Sequence, residues 1–191
     1  MGGAPVLQVL TRCFRRPSML VRNLASVAAL GAGVEHTLLV DTLGRGVGAS
    51  YEALATVPVR GQYIWILDDD DICIFPGLLT ELRRLAAKRV DVVVVRMDHG
   101  ELGVLPDDAH WRAAPELGKI GCSACIVRRE VWMEARAVFV PGAYTSDFAF
   151  AAFLLDTEAR RDGATEKGGY EVEWLDVVAS RVQRRSLGAA E

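Results

Sequence analysis

Gly61-Gln62-Tyr63-Ile64-Trp65-Ile66-Leu67-Asp68-Asp69-Asp70-Asp71 is the stretch on which the rest of the chain is read. Tyr63 to Leu67 is apolar at every position, which predicts a strand buried on both faces, like the central strand of a parallel sheet. It runs straight into four adjacent aspartates. Like charges side by side raise one another's pKa and destabilise a fold unless something compensates them. A divalent cation is the usual compensation, and carboxylate oxygens suit the hard ions Mg²⁺ and Mn²⁺. The competing reading is a solvated acidic turn, with Asp71 capping the next helix.

Outward from this stretch, strand and helix alternate. Val6 to Thr11 reads as a strand, and Pro17-Ser18 opens a helix with Leu20, Leu24, Val27 and Ala28 on one face. Gly31-Ala32-Gly33 stops it. His36 to Val40 is a second strand ending at Asp41. Gly44, Gly46 and Gly48 make a turn, and Ala49 to Val57 is helical. After the aspartates, Pro76 starts a helix with Leu78, Leu82 and Leu85 on one face. Val90 to Val95 is another buried strand. Further on, Asp107 to Pro115 reads as a loop, Ile120 to Val127 as a strand and Arg128 to Ala137 as a short helix. Asp147 precedes a helix whose expected apolar face is Phe148, Ala151, Ala152 and Leu155. Asp162 to Gly169 reads as a polar turn. Glu171 to Asp176 and Val178 to Val182 read as a closing hairpin or edge strands, and 184–191 as a flexible tail.

Strand–helix alternation with short links predicts an α/β layered fold with a mostly parallel central sheet and helices on both faces. In open sheets of this kind, ligands gather at the carboxyl ends of the strands. Thr11-Arg12, Asp41 and the aspartate run all fall at such ends.

Composition bounds the function. The chain has 191 residues, 51% hydrophobic and 25% charged, with a net charge of −3. Disordered, collagen-like and strongly basic nucleic-acid-binding classes are disfavoured. No stretch approaches the ~20 apolar residues of a membrane span. The start carries neither a signal-peptide pattern nor a myristoylation site. Four cysteines in a chain of this length suggest reduced thiols and a cytoplasmic location.

The acidic motif in its strand–helix context resembles the central motif of family 2-like glycosyltransferases, which have the GT-A fold. Other stations follow in order. Val9-Leu10-Thr11-Arg12 through Arg15-Arg16-Pro17 resembles the first strand and its nucleotide-contacting loop. Leu38-Leu39-Val40-Asp41 resembles the second strand and the aspartate that approaches the nucleotide. Gly46 to Ser50 resembles the glycine turn, Ile126 to Trp132 the segment before the acceptor site, and Ser146-Asp147 the acidic pair. The resemblance covers roughly residues 5 to 155, in a compact version with only about 27 residues between Asp41 and Asp68. It implies one GT-A-like domain over residues 1–183.

The resemblance further implies metal-dependent, inverting transfer of a sugar from a nucleotide-diphosphate donor to an acceptor hydroxyl. Thr11, Arg12, Asp41, Asp68 and Asp69 would hold the nucleotide sugar. Asp68 and Asp70 would hold Mn²⁺ or Mg²⁺, and Asp147 would take the acceptor's proton. Asp147 as a helix N-cap is the structural alternative. A second copy of the chain is carried as a candidate partner. Two other functions compete: a non-catalytic GT-A-like binding or assembly domain, and a haloacid-dehalogenase-like phosphatase, which also uses strand-end aspartates.

Several residues carry a weaker claim. Cys122 and Cys125 fit C-x-x-C, but no second pair completes a zinc site, and burial is the expectation. His99 is a candidate third metal ligand, whereas His36 and His110 carry no signal. Trp111 either stacks on a sugar or closes the core, with the core favoured. Arg181, Arg184 and Arg185 either bind an acidic group or are solvated.

Overall fold

A computed structural model describes residues 3–140, 145–155 and 169–183. Its strands are β1 (Leu7–Cys13), β2 (Val34–Val40), β3 (Tyr63–Ile66), β4 (Asp71–Cys73), β5 (Val92–Asp98), β6 (Val104–Leu105), β7 (Cys125–Arg128) and β8 (Val172–Val182). Its helices are α1 (Pro17–Ala28), α2 (Val47–Thr56), α3 (Leu78–Ala87), α4 (Arg129–Ala135) and α5 (Ser146–Leu155), with short 3₁₀ turns between some of them.

One sheet takes the order β2-β1-β3-β7-β5-β8-β4, with β6 beside β5. β1 is parallel to β2 and β3, and β5 to β8. β7 is antiparallel to both β3 and β5, β4 to β8, and β6 to β5. The sheet is therefore mixed rather than mostly parallel. A parallel return needs a crossover, usually a helix. Between Asp98 and Cys125 only β6 and short turns occur, and β7 enters antiparallel.

Both faces are covered, as the runs of apolar residues require. Leu7, Val9, Tyr63, Trp65, Val93 and Val95 face a core closed by Val27 of α1 and the leucines of α3. Their neighbours Leu10, Ile64, Ile66, Val92 and Val94 face the opposite core, closed by Leu54 of α2, Trp132 of α4 and Phe150 of α5. Gln8 is a polar exception in this core. Its Nε2 donates to Thr37 Oγ1 and to the Pro58 carbonyl, and its Oε1 accepts from the Arg60 and Gly61 amides. It bolts β1 to β2 and to the approach of β3. Gly61 sits so close that a Cβ there would lie 2.7 Å from the Gln8 amide nitrogen.

Three local expectations are corrected. Residues 172–182 form one strand between β5 and β4, neither a hairpin nor an edge. The aspartate run straddles β3 and β4, and β4 intervenes before the next helix begins at Leu78, so Asp71 does not cap that helix. The buried face of α5 is Ser146, Phe150, Ala151 and Leu154, leaving Phe148, Ala152 and Leu155 partly exposed. The polar turn, apart from Gly169, and the tail with Arg184 and Arg185 lie outside the described residues. Among the described residues, no helix is long and apolar enough to cross a membrane.

Candidate functional site

The acidic turn is held from beneath by two buried amide side chains. Asn23 of α1 donates to the carbonyls of Asp68 (3.0 Å) and Asp71 (2.9 Å). The Gln183 amide donates to the Asp70 carbonyl at 2.6 Å, and its side chain to those of Asp69 and Met19. All four aspartate carbonyls thereby have partners, and the backbone of the turn is fixed.

Each carboxylate has a different neighbour. Arg12 Nη2 donates to Asp68 Oδ2 at 2.6 Å, and the Tyr51 hydroxyl donates to the same oxygen at 3.2 Å. The Arg12 guanidinium lies over the Tyr51 ring, 4.6 Å from its centroid. Asp68 Oδ1 is buried and has no hydrogen-bond partner. Burial pushes the Asp68 carboxyl up, and Arg12 does not fully offset it. Burial opposes the Arg12 charge, but Asp68 and then Tyr51 outweigh it and raise its pKa. Asp69 accepts from the Phe14 amide and from Arg16, both at 3.1 Å. Asp70 pairs with the same Arg16 nitrogen. Asp71 accepts from the Ser123 hydroxyl at 3.2 Å, and burial, reinforced by Asp68 and Asp70, pushes its carboxyl well above the usual range. Compensation of the run within the chain thus comes from arginines and hydroxyls.

These groups face a cleft of about 580 Å³ at the carboxyl ends of β1, β3 and β5. Arg12, Asp68, Asp70 and Asp71 line it together with Asp147 and His99, which are distant in sequence. Asp147 is the second residue of α5, and the carbonyl of Thr145, not of Asp147, accepts the first helical bond from Ala149. The N-cap position is therefore not Asp147. Its Oδ1 accepts from the Phe148 amide at 2.7 Å, and its Oδ2 lies against Gly121, where a Cβ would be 3.4 Å away. Cys122 shares the cleft wall. Burial first, and the charges of Asp68 and Asp147 in addition, push its thiol well above the ordinary range. Burial lowers the pKa of His99, against Asp98.

A smaller pocket of about 100 Å³ adjoins the cleft through Arg12 and Val47, and Asp41, Phe14 and Asp69 line it. Asp41 is buried. Burial works against its charge, but the amides of Leu43, Arg45 and Gly44 hold its carboxyl below the usual range. Thr11 is placed elsewhere. Its side chain is wholly buried, donating to the Leu67 carbonyl at 2.7 Å and meeting His36 Nε2 at 2.8 Å. It joins β2, β1 and β3 inside the sheet and does not line the cleft. Burial lowers His36 to about 4.

The remaining candidates are structural. Cys122 and Cys125 are buried free thiols, and among the described residues no group of three or more His, Cys, Asp or Glu could hold a metal. Trp111 packs edge-on to Trp174 and beneath Arg96, closing the core. Arg181 pairs with Asp98 at 2.7 Å. Sequence reasoning missed Tyr51, Asn23, Gln183 and Ser123. Asn23 alone left a trace: a polar residue at core spacing between Met19 and Val27.

No protein-family model and no curated protein matches the chain. Solved structures do. TarS 1-349 of S. aureus matches with a TM-score of 0.63 at 13% identity, over 93% of this chain and 60% of that one. The same protein in complex with UDP-GlcNAc matches with a TM-score of 0.63 at 14% identity, over 94% and 59%. Its complex with UDP also matches with a TM-score of 0.63, at 13% identity. The chain spans about 60% of the length of these TarS structures. At such identities the likeness concerns the fold, and the fold of this chain is GT-A-like.

Proposed function

We propose that the chain is a glycosyltransferase that moves a sugar from a nucleotide-diphosphate donor to an acceptor hydroxyl. The observation that carries this reading is the convergence of Asp68, Asp70 and Asp147 on one cleft, at the strand ends of a GT-A-like fold. The complexes of TarS with UDP-GlcNAc and UDP support a nucleotide-sugar donor.

In this reading the nucleoside sits in the small pocket beside Asp41 and Phe14. Arg12 and Arg16 turn from their carboxylates toward the diphosphate, which they match as charge-assisted donors. Asp147 takes the acceptor's proton as it attacks, giving inversion at the sugar carbon. The residues present fit a hard divalent cation. Asp68 Oδ1 is a buried acceptor without a partner, and Asp70 opens on the cleft. Mg²⁺ characteristically takes one or two carboxylates and completes its shell with substrate phosphate oxygens. Bound there, Mn²⁺ or Mg²⁺ would stabilise charge on the leaving diphosphate.

A non-catalytic binding domain is the second reading. It is favoured by the pairing of Arg12 with Asp68 and of Arg16 with Asp70, which neutralises the run without a metal. Calorimetric titration of UDP in EDTA and then in Mn²⁺ tests the metal role; equal affinity in both would sink it. Incubation with UDP-GlcNAc, Mn²⁺ and 4-nitrophenyl β-D-glucoside as a hydroxyl acceptor separates the functions: UDP release marks the transferase, binding without release the binding domain. Release of free phosphate would instead point to the phosphatase.

A further inference from the structure

The sheet order sets the direction in which a reaction would run along the cleft. Asp41 follows β2, Arg12 lies in β1 and Asp68 follows β3, so the donor groups occupy one half of the sheet. Past β3, the cleft continues over β7, β5 and β8. That far half is lined by Met97, Leu105, Leu117, Ile120, Phe148 and Val182. Its polar side chains are Asp71, His99, Lys119, Ser123, Thr145 and Asp147. Leu117 is 61% exposed at this wall, an apolar side chain left in water.

A bare sugar or a polyol phosphate presents hydroxyls all round, each needing a partner once desolvated. The six apolar side chains of this wall, Leu117 among them standing out into the cleft, supply none. We propose that the acceptor is an amphipathic hydroxyl compound, carrying an aryl or acyl body beside its nucleophilic oxygen. The apolar body lies on Leu105, Leu117 and Phe148, and the hydroxyl reaches Asp147, the residue next to Phe148. This rests on the glycosyltransferase reading. In the transfer, the acceptor oxygen bonds to the sugar's anomeric carbon and its proton passes to Asp147. The bond from that carbon to the diphosphate oxygen breaks, and the nucleoside diphosphate leaves with the electron pair.

The test is calorimetry on the full chain with UDP and Mn²⁺ present, using 4-nitrophenyl β-D-glucoside, glucose and glycerol 3-phosphate as probes. The aryl glucoside should bind about tenfold more tightly than either of the others, since covering an aryl ring and a leucine reaches that scale. Leu117→Ser should weaken the aryl glucoside about fivefold, on the same grounds, while leaving UDP affinity and melting temperature unchanged. Leu117→Met should retain the binding. Equal affinity for glucose or glycerol 3-phosphate, no aryl binding, or no effect of Leu117→Ser would overturn the assignment. Failure of UDP, GDP, ADP, CDP and dTDP alike to bind in separate titrations with Mn²⁺ overturns the transferase reading, and the acceptor assignment with it, whatever the aryl glucoside does.

Discussion

Arg12→Met isolates the electrostatics of the acidic turn. Methionine keeps an apolar stem over Tyr51 and deletes the charge opposite Asp68. The Arg12 and Asp68 side chains are only 21% and 13% exposed, so solvent screens little of the loss. Breaking a buried pair by removing one partner costs about 3–5 kcal/mol. Asp68 has an escape, because it can take up a proton. Protonation from an ordinary pKa near 4 costs about 1.4 kcal/mol per pH unit, which caps the penalty near 4 kcal/mol at pH 7 and near 1.5 at pH 5. The sign follows from linkage: the folded Asp68 carboxyl, already raised by burial, rises further once Arg12 no longer lowers it, so the variant's native state holds a proton that its unfolded chain releases. Stability is therefore unaffected below about pH 4 and falls as pH rises through the new folded value. For a chain of this size about 3 kcal/mol lowers Tm by about 6–12 °C at pH 7, and about 1.5 kcal/mol lowers it by about 3–6 °C at pH 5. Thermal melts of both proteins at the two pH values measure this. An equal loss at both pH values, or a loss under about 2 °C at pH 7, would show that Asp68 does not depend on Arg12. Adding Asp68→Asn to the variant should recover most of the loss, because it removes the orphaned charge.

The first half of the fold was legible because each element carried its own period. The expected strands at Val6–Thr11, His36–Val40 and Tyr63–Leu67 and the helix at Ala49–Val57 each lie within about two residues of β1, β2, β3 and α2. The errors came where local pattern does not decide. β4 has three residues and no period to read. Asp176 looked like a break between two strands. Instead its carboxylate turns to Arg96 at 2.6 Å, where the β5–β8 register shifts, and the strand continues. The sequence of α5 is apolar on nearly every face, so spacing could not choose which face is buried. The direction of β7 depends on a crossover helix that is not there.

The candidate site was legible in its acids and illegible in their partners. Four contiguous aspartates announce themselves, and the order of motifs placed Asp147 with them. The residues that hold the turn come from far along the chain: Asn23 is 45 positions from Asp68, and Gln183 is 114 from Asp69. No spacing rule connects them. Asn23 is a polar residue at the core spacing of Met19 and Val27, which marks a buried hydrogen-bonding position without naming its partner; Gln183, just past the end of β8, carries no such mark. Thr11 shows the opposite error. Its place at a strand end suggests the cleft, but the alternation of side chains puts it on the face of Leu7 and Val9, opposite Arg12.

Three further outcomes follow from the geometry. Thr11→Val should cost about 1–3 kcal/mol in a denaturant melt, because the His36 nitrogen and the Leu67 carbonyl lose a buried partner, and UDP affinity should not change. Gly61→Ala forces a Cβ to 2.7 Å from the Gln8 backbone nitrogen, and with no flexible side chain to yield, the melt should show a loss at the upper end of single substitutions, about 4 kcal/mol or more. Asp147→Asn should abolish release of UDP from UDP-GlcNAc in the presence of acceptor while leaving UDP affinity within a factor of a few and Tm unchanged. Asparagine keeps the oxygen that accepts the Phe148 amide, and the helix cap at Thr145 is untouched, so only the capacity to take a proton is lost; retained turnover would remove Asp147 as the base.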